Sequence, residues 1–418
     1  MNNRSALTRQ RWIIFAVLAL MYILVYFYRV SLAVVAGDIS RELNLTPQQL
    51  GSLSGILFYV YAVAQIPLGP MIDRLGSRLV ISGSGILTAV GGILFSQAAT
   101  LPAAMAARVL IGIGTASVLM ATFTVFSHWY SKQEFGRISG FMVAVGNLGN
   151  LFATAPLALA VAAIGWRSSF LFIGIVQVLV TVLVFAVVRD KPPVTSTSTD
   201  AVPVIEKTRL MAAWGEIFGS RDFWLLGGIS FAWYGNYLAL QGLWGGPYLT
   251  EILHLSRESA GTILMCTSLG FIAGSTVIDN IARRFFRSYK KTLLAGQILL
   301  ATLMSAFLGW AELIPQPLLM VVFFTIGLAV SSGVMIYPII RTMFPVRIVG
   351  TALTSLNFFV LMGAATTQQV MGFIVGAFER GTNGAPPAAF HAAFLLPVAC
   401  LAAAIILFLF AKDYTEKI

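Results

Sequence analysis

Arg29 stands in "LVYFYRVSLAVV", residues 24–35, after seventeen uncharged residues from Trp12 to Tyr28. A guanidinium stays charged in proteins and presents five N–H donors in one plane. Tyr22, Tyr26 and Arg29 are spaced i, i+4, i+7, so on a helix they share a face. A cation flanked by phenols inside an apolar run is a site for an anion, because intramembrane charges face a bundle interior and mark pathways. The plain alternative is an arginine snorkelling to the outer interface. A second polar and aromatic stripe runs through Tyr234, Tyr237, Gln241, Trp244 and Tyr248, with Asn236 beside it. Tyr61, Asn147 and Asn357 add polar groups to three further apolar runs. For these residues the alternatives are interfacial anchoring and helix-to-helix hydrogen bonding. Arg108 and His128 are the intrahelical bases left for ion coupling, and Arg108 is equally open to a structural role. The sixteen acids all fall in loops or at helix ends, and the three histidines are scattered. Nothing here has the spacing of a catalytic constellation, a metal cluster or a phosphate-cradling glycine loop. The chain is expected to be no enzyme and to hold no cofactor.

The elements that carry these residues follow from composition. The 418 residues are 58% hydrophobic and 10% charged, with a mean hydropathy of +0.86. Soluble domains carry about a quarter charged residues. The apolar runs are long enough to span a bilayer as helices, and the short alternating segments of a β-barrel are missing. Twelve segments emerge: 12–36, 46–69, 78–98, 102–128, 138–163, 166–188, 222–249, 257–278, 291–310, 317–342, 349–378 and 388–411. The expected fold is an all-α membrane protein of twelve transmembrane helices in two pseudo-symmetric six-helix bundles. Residues 1–188 form the first bundle, 189–221 a Pro/Ser/Thr-rich cytoplasmic linker, and 222–418 the second bundle. "MAAWGEIFGSRDFW" at the end of the linker reads as a short amphipathic surface helix.

Lysine and arginine set the orientation. With the N-terminus inside, inward segments carry 21 of the 27 and outward loops carry four, leaving Arg29 and Arg108 within helices. Both termini are therefore placed in the cytoplasm. The net charge of +11 reflects this bias and requires no nucleic-acid partner. The halves echo each other. "ELNLTPQQLG" parallels "ILHLSRESAG", "GPMIDRLGSR" parallels "STVIDNIARR", and "WYSKQEFGR" sits where "MFPVRIVGT" sits in the second half. Three matches in one order indicate an internal repeat. In the first pair Thr46 is placed to cap the second helix, with Pro47 at its first position and Gln49 closing a capping box.

"GPMIDRLGSR" (69–78) and "RVLIGIGTA" (108–116) resemble the loop and helix-four signatures of the major facilitator superfamily. "YFYRVSLAV", "YAVAQIPLGPMIDRLGSR", "WYSKQEFGR" and "GWRSSF" are similar to its sugar-phosphate-permease-like group, the organophosphate antiporters and anion:cation symporters. The resemblance implies a monomeric inner-membrane transporter working by alternating access, with helices one, four, seven and ten lining a central cavity. It implies that Arg29 binds substrate anion. It gives Gly69, Asp73, Arg74, Gly76 and Arg78 a gating role, with Asp73 facing the start of helix eleven, and makes Asp279 a weaker second gate. Two departures bear on the substrate. The antiporters add a second base on helix seven, where "FAWYGNYLALQGLW" has none, which argues against a dianionic phosphate. The symporters carry a glutamate after the glycine at position 114, where this chain has Thr115. The expected function is secondary active or facilitative transport of a small organic anion. Alternatives are a proton-coupled symporter of that class, a transporter of an amphipathic or zwitterionic solute, and a non-transporting membrane sensor.

Overall fold

The structure, a computed structural model, describes residues 2–192, 210–379 and 385–414; the side chains of a few helical residues, Asp73 among them, lie outside the description, as do the surroundings of Gly69. Among the described residues there are helices and turns and no strands. The chain runs α1 (Asn2–Val30), α2 (Leu32–Glu42), α3 (Pro47–Leu75), α4 (Ser77–Gln97), α5 (Leu101–Ala116), α6 (Val118–Trp129), α7 (Lys132–Gly146), α8 (Leu148–Phe152) and α9 (Ala155–Val187). It continues through α10 (Leu210–Phe218), α11 (Arg221–Ala239), α12 (Gly245–Pro247), α13 (Arg257–Ile281), α14 (Tyr289–Met304), α15 (Gln316–Ser331), α16 (Ile336–Met343), α17 (Val346–Gly376) and α18 (Pro387–Leu409).

Twelve membrane crossings are made from these pieces. Nine described helical stretches are long and apolar enough to cross a bilayer, and one of them, Arg137–Val187, is 51 residues long. It holds two crossings, separated by the turn at Gly165, whose φ is +78°. The 29-residue α3 and the run from α11 into the π-helical turn Leu240–Trp244 supply the other two. Several expected helices are interrupted. The first breaks at Ser31, the fourth at Ser117, the fifth at Asn147 and again at Ala153–Thr154, and the tenth at a 3-10 turn, Ser332–Met335. α3 starts as its sequence dictates. Thr46 accepts from the Gln49 amide, Gln49 returns the bond, and Pro47 fills the first position.

Contacts divide the chain into two compact units, Met1–Pro193 with Gln241–Ser268, and Val194–Leu240 with Leu269–Ile418. In the first, the signature motifs tie helices together. The buried Arg108 donates to the Tyr28, Leu53 and Ser54 carbonyls, joining α5 to α1 and α3. A cation in an apolar interior must find such acceptors within the protein. Gly112 lies against the Leu57 carbonyl and Gly114 against the Ser84 carbonyl, so neither has room for a Cβ. Arg167 donates to Glu42 and to the Ser96 and Ala98 carbonyls, while the Trp166 indole donates to the other Glu42 oxygen. Those two bonds hold the Glu42 carboxyl below the usual carboxylate range. At the other end, Ser131 and Glu134 form the capping box of α7, Arg11 pairs with Glu134 at 3.1 Å, and Trp129 donates to the Arg189 carbonyl.

In the second unit α11 packs along α17 and α18. The Trp233 indole donates to the Val330 carbonyl, and Gly333 leaves the space the indole fills. The short helix expected after the linker is α10, with Ala213 and Ile217 buried and Trp214 and Phe218 exposed. The chain after α18 is pinned: Tyr414 and the Lys412 amide donate to Asp222, Ser288 donates to Asp413, and Lys290 donates to the Leu409 and Ala411 carbonyls.

Candidate functional site

In the first unit the geometry centres on Arg29, which is 7% exposed near the end of α1. Its guanidinium lies 4.8 Å from the Tyr26 ring centroid and 4.9 Å from that of Tyr61. It is therefore buried between two aromatic faces rather than extended toward an interface. Tyr22 stacks edge-on to Tyr26 at 5.0 Å, with the two hydroxyls 3.4 Å apart. Each buried cation–π contact is worth about 2 kcal/mol. The guanidinium also bonds the Tyr61 side chain, and a planar guanidinium is the group that takes a carboxylate on two prongs.

Two glycines make room for this cluster. A Cβ on Gly146 would fall 2.4 Å from the Tyr22 ring, and one on Gly149 would fall 2.0 Å from the Ile23 carbonyl and 2.8 Å from the Tyr26 Cβ. Asn147, between them, donates to Val143 and accepts from Asn150. Sequence reasoning passed over Gly146 and Gly149, although "GNLGN" signals close approach of α7 and α8 to another helix.

The stripe on the seventh crossing does not stay on one face. Tyr234 and Tyr237 lie on α11, their rings 5.9 Å apart, and Tyr237 stacks on Phe271 at 5.7 Å. Asn236 turns to α18 and donates to the Pro397 carbonyl, acting between helices. Gln241 and Trp244 come next in the π-helical turn, both buried, with Gln241 donating to Ser268. Asn357 is half-buried on α17, where Gln368 donates to the Leu238 carbonyl.

The gating residues separate. Asp73 and Gly69 fall outside the description. Arg74 is exposed. Gly76 bridges α3 and α4 with φ +83°, and a Cβ there would meet Asp190. Arg78 donates its amide to Asp190 and its Nε to the Phe185 carbonyl. Asp279 forms an exposed i,i+4 pair with Arg283. An ion pair unforeseen in the sequence joins Asp38 to Arg257 within the first unit, and Asp38 also takes Arg41 at 3.0 Å. A cavity of about 200 Å³ lies beside it, lined by Ala33, Gly37, Gly246 and Pro247.

Of the coupling candidates, Arg108 directs its donors at three backbone carbonyls. His128 is exposed at the end of α6, its Nδ1 against the Thr124 carbonyl. Thr115 donates to the Ile111 carbonyl of its own helix. Among the described residues no cluster of three or more His, Cys, Asp or Glu has metal-binding geometry.

Comparison with known proteins places these observations. The chain matches the family described as Major Facilitator Superfamily twice, over residues 18–245 and 242–418. It is 27% identical over 312 residues to a probable sulfoacetate transporter of Cupriavidus necator, covering 72% of this chain and 70% of the relative. It is 24% identical over 367 residues to a probable L-galactonate transporter of Escherichia coli (strain K12), covering 84% and 80%. Among solved structures, a bacterial homolog of the human lysosomal transporter Spinster, inward-facing and unoccupied, aligns with a TM-score of 0.74 at 19% identity, over 97% of this chain and 96% of that one.

Proposed function

The chain belongs to the major facilitator superfamily, and on that premise we propose that it moves a small organic anion across the cytoplasmic membrane by alternating access, with Arg29 as the counter-charge. The observation that carries this reading is the Arg29 guanidinium held between the Tyr26 and Tyr61 rings. A desolvated guanidinium recognises a carboxylate or sulfonate more strongly than any neutral solute. The sulfoacetate and galactonate in the names of two relatives are carboxylate-bearing, which supports the same class. Tyr22 and Asn147 extend the site in the first unit; Tyr237, Trp244, Gln241 and Asn357 are proposed for further contacts, and Asn236 for positioning α11.

The family model matching the chain twice supports a chain of two halves, for which a six-helix bundle at 1–188, a linker at 189–221 and a second bundle at 222–418 are proposed; the basic-residue bias supports cytoplasmic termini, and a monomer in the inner membrane is proposed with them. Gly69, Asp73, Arg74, Gly76, Arg78 and Asp279 are proposed for the inner gate, and Asp38 with Arg257 for an ion pair that breaks and reforms during the cycle. Exchange or facilitated flux is proposed for coupling, because Thr115, which has no titratable group, stands where the related symporters carry a glutamate.

The test is purified protein in liposomes, assayed by counterflow, with a thermal-shift screen of carboxylates, sulfonates, sugar acids and sugar phosphates. Arg29→Ala should abolish binding and counterflow, and Arg29→Lys should weaken both, because an ammonium has no planar fork. Wild-type flux in Arg29→Ala would remove the assignment. Saturable binding without counterflow would make the protein a sensor instead.

A further inference from the structure

Between α4 and α9 runs a groove of about 410 Å³, lined by Ser82, Ile86 and Val90 on one side and Val178, Val182 and Phe185 on the other. It lies within the first unit and away from Arg29. Its exposed walls are apolar, and two hydroxyls lie just behind them. Thr181 donates to the Gln177 carbonyl of its own helix. Ser82 Oγ is different: the residue is 6% exposed, and this atom has no hydrogen-bond partner among the described residues. The α4 wall extends from Ser82 to Ile93, which at 1.5 Å per residue is about 17 Å. One leaflet of the hydrocarbon core is about 15 Å deep. The groove therefore has the reach of one acyl chain.

Its Phe185 end is charged. The Arg78 guanidinium lies 4.4 Å from the Phe185 ring centroid and is held there by the Nε bond to the Phe185 carbonyl. Its two terminal nitrogens bond no described residue. Arg189 and Lys191 are exposed just beyond α9. The neighbouring acid, Asp190, accepts from the Arg78 backbone amide. Arg78 and the 189–191 stretch thus bring three bases and one acid. Ser82 lies one turn deeper than Arg78, about 6 Å along the helix, which is the order of phosphate and ester groups in a phospholipid.

We propose that this groove is a binding site for an anionic phospholipid, with the phosphate on Arg78, an ester carbonyl accepting from Ser82 Oγ, and one acyl chain between α4 and α9. The surplus of bases selects phosphatidylglycerol over phosphatidylethanolamine, whose ammonium Arg189 and Lys191 repel.

Native mass spectrometry of the full chain, released from micelles containing equal phosphatidylglycerol and phosphatidylethanolamine, reads the site directly. Wild type should retain phosphatidylglycerol preferentially. Arg78→Gln should retain about fivefold less, the effect of one basic residue near an anionic lipid surface, and Arg78→Lys should restore most of it. Val182→Trp, which fills the groove and leaves every charge in place, should also lose retention. Equal retention of the two lipids by wild type, or full retention by Val182→Trp, overturns the site. Should the variants fail to fold, wild type in phosphatidylglycerol vesicles carrying an acyl-chain diazirine provides the check. Cross-links confined to peptides 82–93 and 178–185 support the proposal, and cross-links spread evenly over the lipid-facing helices refute it.

Discussion

Replacing Arg108 with methionine separates two roles for this residue. The side chain is 1% exposed, and its Nε, Nη1 and Nη2 reach the Leu53, Tyr28 and Ser54 carbonyls at 3.3, 3.1 and 3.3 Å. Methionine keeps much of the apolar stem and removes all three donors. Hydrogen bonds between membrane helices average about 0.6 kcal/mol each, so three amount to about 2 kcal/mol. The Leu53 and Ser54 carbonyls lie inside α3, where helical amides already reach them, which keeps the loss near this average rather than at the larger cost of orphaned acceptors. A loss of about 2 kcal/mol shifts the unfolding equilibrium about 30-fold. The assay is reversible denaturation of the purified protein in mixed micelles with rising SDS, monitored by tryptophan fluorescence. Arg108→Met should unfold at markedly lower SDS, while the protein that remains folded transports with an unchanged KM and pH profile. A relay role predicts the reverse, an unchanged unfolding midpoint with altered coupling. That result would refute the structural reading of the three bonds.

Gly149→Ala should destabilise the protein by about 1–3 kcal/mol, the usual cost of overpacking, since its Cβ would press on the Ile23 carbonyl; a thermal melt in micelles reads it. Glu42 is held below the ordinary carboxylate range by its bonds to Arg167 and Trp166. Its contribution to stability is therefore present above the unfolded-state pKa and lost as pH falls through the folded one. Glu42→Gln should melt below wild type at pH 7, and the two should converge under acid conditions. The gap is small, because the pair is partly exposed. For coupling, an imposed pH gradient with voltage clamped should not concentrate substrate in liposomes, and concentration with stoichiometric proton entry would restore the symporter alternative.

The twelve crossings were legible because apolar runs of spanning length have few alternatives in a bilayer. Their interruptions were not. Ser31 and Ser117 carry no strong local break signal, so those breaks reflect packing rather than propensity, whereas Asn147 stands between Gly146 and Gly149. The stripe from Tyr234 to Tyr248 was drawn on a regular 3.6-residue helix, but the turn at Leu240–Trp244 is π-helical. The wider turn rotates the residues beyond it, so side chains drawn on one face separate. Arg29 with Tyr22 and Tyr26 was readable because all three lie on one unbroken helix. Tyr61 was readable only as a polar aromatic, since its contact with Arg29 comes from α3. The signature motifs located the family correctly, and Arg108, Trp166, Arg167 and Glu134 all make bonds between helices. A motif marks what a fold needs, and here much of that need is mechanical.

The pinned chain after α18 has a practical side. Lys412, Asp413 and Tyr414 are tied to Asp222 at the start of α11 and to Ser288 just before α14. A reporter or affinity handle fused directly after Tyr414 would pull on two membrane helices at once. A flexible spacer would leave those knots slack, whereas cutting the chain back to Leu409 would untie them. A short handle and a long one should therefore report different transport rates from the same protein, and only the long one would describe the untagged molecule.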